Sequence, residues 1–229
     1  MAVHLDRGIR ERLHHRASSI ASKARGLRVP SVDNIHVTLR FLGETDAELV
    51  PDLEDVMKAV AGHVPPFRIE VSGLGTFPPR GPARILWAAI GEGKECLSLL
   101  ARQLEQEVER LGFPAERKPF HPHVTIGRIK DPASGRHVAS LCRPPAAPSR
   151  TGEENSRPTS SREDEETFGS QAVEAIVLVQ SQLRPAGPHY SDLAVVSLVR
   201  PPDAGTGIRP RVFQPERTAS AINQKGGSA

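Results

Sequence analysis

Two short segments of the chain repeat one another: residues 35–43 read IHVTLRFLG and residues 122–129 read PHVTIGRI. Each carries His-Val-Thr followed by an aliphatic residue. The two histidines, like the two threonines, stand 87 positions apart. Side chains alternate faces along a strand, so His36, Thr38 and Arg40 share one side and Val37, Leu39 and Phe41 the other. His123 and Thr125 repeat that arrangement. Such a chain has to bury two aliphatic rows against other elements and leave two rows of imidazole and hydroxyl uncovered, which selects a fold with sheet and helix in separate layers.

One histidine and threonine in a strand is ordinary decoration, whereas two copies in the same apolar frame make a site. Histidine is the side chain whose ordinary pKa, about 6.5, lets it both take and give a proton near neutrality. Displacement at phosphorus needs a base for the nucleophile, an acid for the leaving oxygen and donors for the equatorial oxygens. Two imidazoles and two hydroxyls supply that set. Two histidines with no carboxylate or cysteine beside them make an incomplete metal site, so a metal is not expected.

Apolar periodicity runs through residues 1–142 and returns at 166–199. Helices are predicted over 7–24, over 45–62, where Thr45 and Glu48 form a capping box, and over 94–111, where Leu97, Leu100, Leu104, Val108 and Leu111 make one stripe and Gly112 stops it. Strands are predicted at 3–5, 35–42, 67–71, 83–90, 123–129, 172–180 and 193–199. The first is short, as if truncated or preceded by an upstream start codon. Interleaved strands and helices give an α+β or α/β class. Residues 143–165 (RPPAAPSRTGEENSRPTSSREDE) read as a disordered insertion and 200–229 as a disordered tail.

Composition narrows the partners. With one tryptophan, one tyrosine and seven phenylalanines in 229 residues, the core rests on aliphatic side chains, and an aromatic platform for nucleic acid is not expected. Of the 30 basic residues, 24 are arginine, a weak pointer to phosphate that biased genome composition explains as readily. Cys96 and Cys142 lack CxxC spacing, which argues against disulfides or a zinc knuckle and for a reducing cytoplasm. No apolar run reaches the ~20 residues of a membrane span, and the first residues lack a signal-peptide centre. A soluble, cytoplasmic monomer is expected.

HVTLRFLGE and HPHVTIGR resemble the paired HxT motifs of the two-histidine (2H) phosphoesterase superfamily, in its LigT-like branch of RNA 2′,3′-cyclic phosphodiesterases. GTFPPRGPARILWAAI at 75–90, the LGF before the second motif and SQLRPAGPHYSDL at 181–193 extend the likeness over about residues 2–199. The resemblance implies a single bilobal, duplicated α+β domain over residues 1–199, with two sheets facing across a cleft and helices outside. It implies hydrolysis of 2′,3′-cyclic phosphate ends of RNA to 2′-phosphomonoesters with neither a metal nor another cofactor, which some members reverse as 2′-5′ ligation. By the same resemblance His36 is the acid and His123 the base, with Thr38 and Thr125 on the phosphate oxygens. Alternatives are another cyclic phosphodiesterase, acting on ADP-ribose cyclic phosphate or 2′-5′ oligoadenylate, and a non-catalytic module that binds RNA ends.

Around the motifs, period-two alternation puts Arg40 beside His36 as a substrate contact, and puts Arg128 on the opposite face unless the strand bulges. Tyr190 is a candidate for base or sugar contact. Phe41 reads first as core and second as such a contact. His121, between two prolines, reads as a rim residue. His4, His14, His15, His63, His137 and His189 show no partner in sequence.

Overall fold

A computed structural model describes residues 1–142, 166–184 and 187–199. The predicted insertion and tail lie outside the described residues. In chain order the elements are β1 (Ala2–His4), α1 (Arg7–Lys23), β2 (Leu27–Arg28), β3 (His36–Thr38), α2 (Val50–Ala61), β4 (Phe67–Phe77), β5 (Ile85–Ile90), α3 (Lys94–Arg110), β6 (His123–Ile129), α4 (Pro132–Leu141), β7 (Thr167–Val173), β8 (Ala175–Arg184) and β9 (Gly187–Ser197). One-turn 3₁₀ helices at Val32–Asn34 and Ala47–Leu49 precede β3 and α2.

The strands form one antiparallel sheet of nine in the order β7-β4-β5-β6-β3-β1-β8-β9, with β2 also paired to β6. Two separate sheets were expected. The β3–β6 pairing joins them: the strands that carry the two motifs are neighbours, and Val37 stands opposite Val124. The aliphatic rows face the helical side. Val37, Leu86, Ala88, Val124 and Ile126 are fully buried, as are Leu13 of α1, Met57 of α2 and Leu97, Leu100 and Leu104 of α3. At about 1.5–3 kcal/mol for each large side chain taken out of water, this layer dominates the stability of the sheet.

Several elements differ from the sequence reading. The capping box does not form: Thr45 Oγ1 donates to the Gly43 carbonyl oxygen, and α2 begins only at Val50, with Pro51 in its first turn, where a missing N–H costs nothing. The strand predicted over 35–42 stops at Thr38, because the Leu39 and Arg40 N–H groups both donate to the Met1 carbonyl oxygen and turn the chain. The strand predicted at 172–180 is two strands, β7 and β8. β4 runs six residues further than predicted, to Phe77, through a bulge between Ser72 and Leu74. β2 and α4 were not predicted; α4 is capped by Asp131, whose Oδ1 accepts from the Ser134 N–H at 2.8 Å.

Candidate active site

Moving one residue either way from the Val37–Val124 pair in an antiparallel ladder sets His36 across from Thr125 and Thr38 across from His123. The motifs are therefore related by a local twofold through that pair. The two imidazoles are diagonal neighbours on one face, with Cα atoms about 7–8 Å apart. His36, His123 and Thr125 are half-buried and Thr38 is exposed, while the valine between each His and Thr is sealed on the far side. The alternation read from the sequence thus holds over both HVT triplets.

Each histidine is held by the backbone two residues before it. His123 Nδ1–H donates to the His121 carbonyl oxygen at 2.6 Å, which leaves Nε2 as the free nitrogen of the neutral ring. His36 makes a backbone hydrogen bond to Asn34. Both rings are poorer bases than an ordinary imidazole. Burial is the first cause for His36, followed by the charges of His4 and the Met1 amine, and together they lower its pKa to about 4 against the opposing effects of Asn34 and Asp192. For His123 burial again lowers the value, the His121 ring adds to the lowering, and the bond to the His121 carbonyl opposes it.

The walls come from neighbouring strands. On one side Tyr190 of β9 meets His36 edge-on, with ring centroids 5.4 Å apart. Beside it His4, paired with His36 across β1 and β3, directs Nε2–H to both carboxylate oxygens of Asp192 at 2.9 Å. The β8–β9 hairpin thereby touches the face of the two motifs at two points. On the other side Trp87, opposite Thr125, stacks on Phe77 at 5.0 Å, and His123 stands edge-on to Phe77 at 5.3 Å. Gly75 makes this stack possible, since a Cβ there would lie 2.3 Å from the Trp87 ring.

Of the residues singled out in the sequence, His36, Thr38, His123, Thr125 and Tyr190 come together on this face. Arg40 does not. Because β3 ends at Thr38, Arg40 turns inward; its side chain is only 7% exposed, paired with Glu105 of α3 and, at 3.5 Å, with Glu116, and it donates to the Pro114 carbonyl oxygen at 2.5 Å. Removing one partner of such a buried pair typically costs about 3–5 kcal/mol, so Arg40 acts as an anchor between the motif loop and α3. Phe41, expected first as core, is 72% exposed. His121 is exposed, with its ring against Trp87 and Phe77, as a rim residue would be. His4 and Asp192 were not foreseen, since 188 positions separate them and only the β1–β3 pairing brings His4 to the site.

Arg128 reaches the face that alternation denied it. Trp87 pairs with Thr125 but Leu86 pairs with Gly127, so β6 carries one extra residue, a bulge at Ile126. Past the bulge Arg128 pairs with Ile85, which shares a face of β5 with Trp87 and Ala89. Gly127 gives Leu27 room beside the bulge, since a Cβ there would lie 2.5 Å from Leu27 Cδ1 and push that side chain aside. A glycine inside a strand run is the signal that announces such a bulge.

Among the described residues no group of three or more His, Cys, Asp and Glu is placed to hold a metal ion, and no helix is long and apolar enough to cross a membrane. The model of the 2'-5' RNA ligase superfamily matches residues 11–150. The RNA 2',3'-cyclic phosphodiesterase of Methanothermobacter thermautotrophicus is 30% identical over 198 residues, 86% of this chain and 97% of that protein. The enzyme of the same name from Archaeoglobus fulgidus is 32% identical over 195 residues, 85% of this chain and 97% of that protein. The crystal structure of TT0787 of Thermus thermophilus superposes with a TM-score of 0.65 at 30% identity, over 86% of this chain and 95% of that one. With the family model matched across more than half its length and both motifs on one face of the sheet, the chain belongs to the 2'-5' RNA ligase superfamily.

Proposed function

We propose that this protein hydrolyses the 2′,3′-cyclic phosphate at an RNA end to a 2′-phosphomonoester without a metal ion. The observation that carries the reading is the twofold-related pair of HxT motifs on adjacent strands, with both imidazoles and both hydroxyls on the open face. The names of the relatives that cover most of the chain support it. Water attacks phosphorus and gives its proton to His123; the bond from phosphorus to the 3′ oxygen breaks, and His36 protonates that oxygen. Thr38 and Thr125 donate to the equatorial oxygens, where charge accumulates in the transition state. A 5′-hydroxyl attacking in place of water, with the same loss of the 3′ oxygen, gives the 2′-5′ linkage. Residues 1–199 act as one bilobal domain that arose by duplication. The strand order supports this, with four strands on either side of the β3–β6 seam, as does the anchoring of both histidines to the backbone two residues upstream.

The pH profile tests the acid–base pair. Turnover needs one ring protonated and the other neutral, so kcat/KM follows a bell bounded by the two macroscopic pKa values of the free enzyme. Both are lowered, His36 to about 4 and His123 to below the ordinary 6.5. On a cyclic nucleotide kcat/KM therefore peaks below pH 6.5 and falls about tenfold per pH unit on the alkaline side. A maximum at or above pH 6.5 contradicts the assignment of the pair.

A further inference from the structure

Beyond the site of the terminal phosphate, the same face carries a pair of arginines. Arg128, brought to that face by the bulge in β6, stands directly opposite Arg28 of β2. Opposed residues of an antiparallel pair share a face, and the burial pattern agrees: Leu27 and Ile129 point into the core while Arg28 and Arg128 are exposed. β2 lies along the same edge of β6 as β3 does, so Arg28 continues the line of His36. Three residues of β6 separate the Arg28 position from the His36 position, roughly 10 Å at the usual rise and somewhat less across a bulge. Among the described residues neither arginine has an ion pair or hydrogen-bond partner for its guanidinium, and like charges set directly opposite one another repel. An anion between them relieves the repulsion, and the planar guanidinium fork suits a phosphate held by two parallel bonds.

We propose that Arg28 and Arg128 form a second phosphate subsite, which takes the phosphodiester next to the terminal cyclic phosphate and directs the RNA strand along β6 towards β2. The subsite rests on the reading of the site as one for cyclic RNA ends. Its ligand is an RNA backbone phosphate one nucleotide removed from the reacting phosphorus, so the enzyme distinguishes an RNA end from a free cyclic mononucleotide.

The test compares adenosine 2′,3′-cyclic monophosphate, which lacks the second phosphate, with a cyclic-ended diadenylate that has one, in wild-type protein and in Arg28→Gln. One charge-assisted bond removed corresponds to about a tenfold change. Arg28→Gln is expected to lower kcat/KM about tenfold more on the dinucleotide than on the mononucleotide. It is also expected to flatten the salt dependence of the dinucleotide reaction, by about 0.7 in the slope of log kcat/KM against log salt. Equal losses on both substrates, or none on either, overturn the subsite. Fluorescence anisotropy with a labelled pentanucleotide ending in a 2′-phosphate reads the subsite without turnover. Weaker binding by Arg28→Gln at low salt supports it and unchanged binding overturns it, even if wild-type protein cleaves neither substrate, an outcome that overturns the proposed reaction instead.

Discussion

Replacing either His36 or His123 by alanine is expected to lower kcat on a 2′,3′-cyclic nucleotide by on the order of 10³-fold, in the upper part of the range that a positioned acid or base contributes. The two losses are of similar size because the motifs are twofold-related and both proton transfers belong to one displacement. The double variant is then little worse than either single one, since the remaining histidine has no partner to work with. Both rings are half-buried on the open face and neither belongs to the core, so each variant keeps its melting temperature within a few degrees of wild type. A single variant retaining wild-type kcat contradicts the mechanism. A variant that loses activity together with its cooperative melt bears on the fold instead.

The next largest effect falls on the threonines. Thr38→Val and Thr125→Val keep shape and β-branching but remove the hydroxyl, and each is expected to cost about 10²-fold in kcat, the scale of one donor lost from a charged transition state. Thr→Ser at the same positions keeps the hydroxyl and recovers most of the rate. The discriminating readout is the split between kcat and KM: a donor that acts in the transition state moves kcat, whereas one that merely holds substrate moves KM. Wild-type kcat in both valine variants contradicts the roles assigned to Thr38 and Thr125.

The residues proposed to carry this chemistry are legible in the sequence because their placement depends on local alternation alone. Within HVT the period of two is intact, so the face of His36, Thr38, His123 and Thr125 follows from spacing. The α3 stripe is legible because it too is local, its apolar row falling at helical spacing with Gly112 past the end of the helix. Errors arise where alternation is interrupted by something remote. Arg40 is misplaced because the Met1 carbonyl ends β3 two residues earlier, and it finds Glu105 on a helix 65 positions away. Arg128 is misplaced because Ile126 is an extra residue against β5, although Gly127 gives a hint of it. His4 and Asp192 have no local signature at all: one is the last residue of a three-residue strand, the other lies in the final hairpin, and strand order alone joins them. The continuity of the sheet is invisible for the same reason, since the pairing of β3 with β6 spans the two copies of the motif.

Arg28 and Arg128 also change the meaning of the composition. Scarce aromatics on their own suggest that the enzyme reads little of the RNA beyond its terminal phosphate. A backbone subsite needs no aromatic platform, because charge follows the strand without reading a base.

The most direct test of the central claim is the identity of the product. Wild-type protein is incubated in EDTA with an oligoribonucleotide ending in a 2′,3′-cyclic phosphate, and the new end group is identified by ³¹P NMR against 2′- and 3′-phosphate standards. The account predicts conversion to the 2′-phosphomonoester at a rate unaffected by the chelator. A 3′-phosphate product, turnover abolished by EDTA, or no reaction at the cyclic end contradicts it.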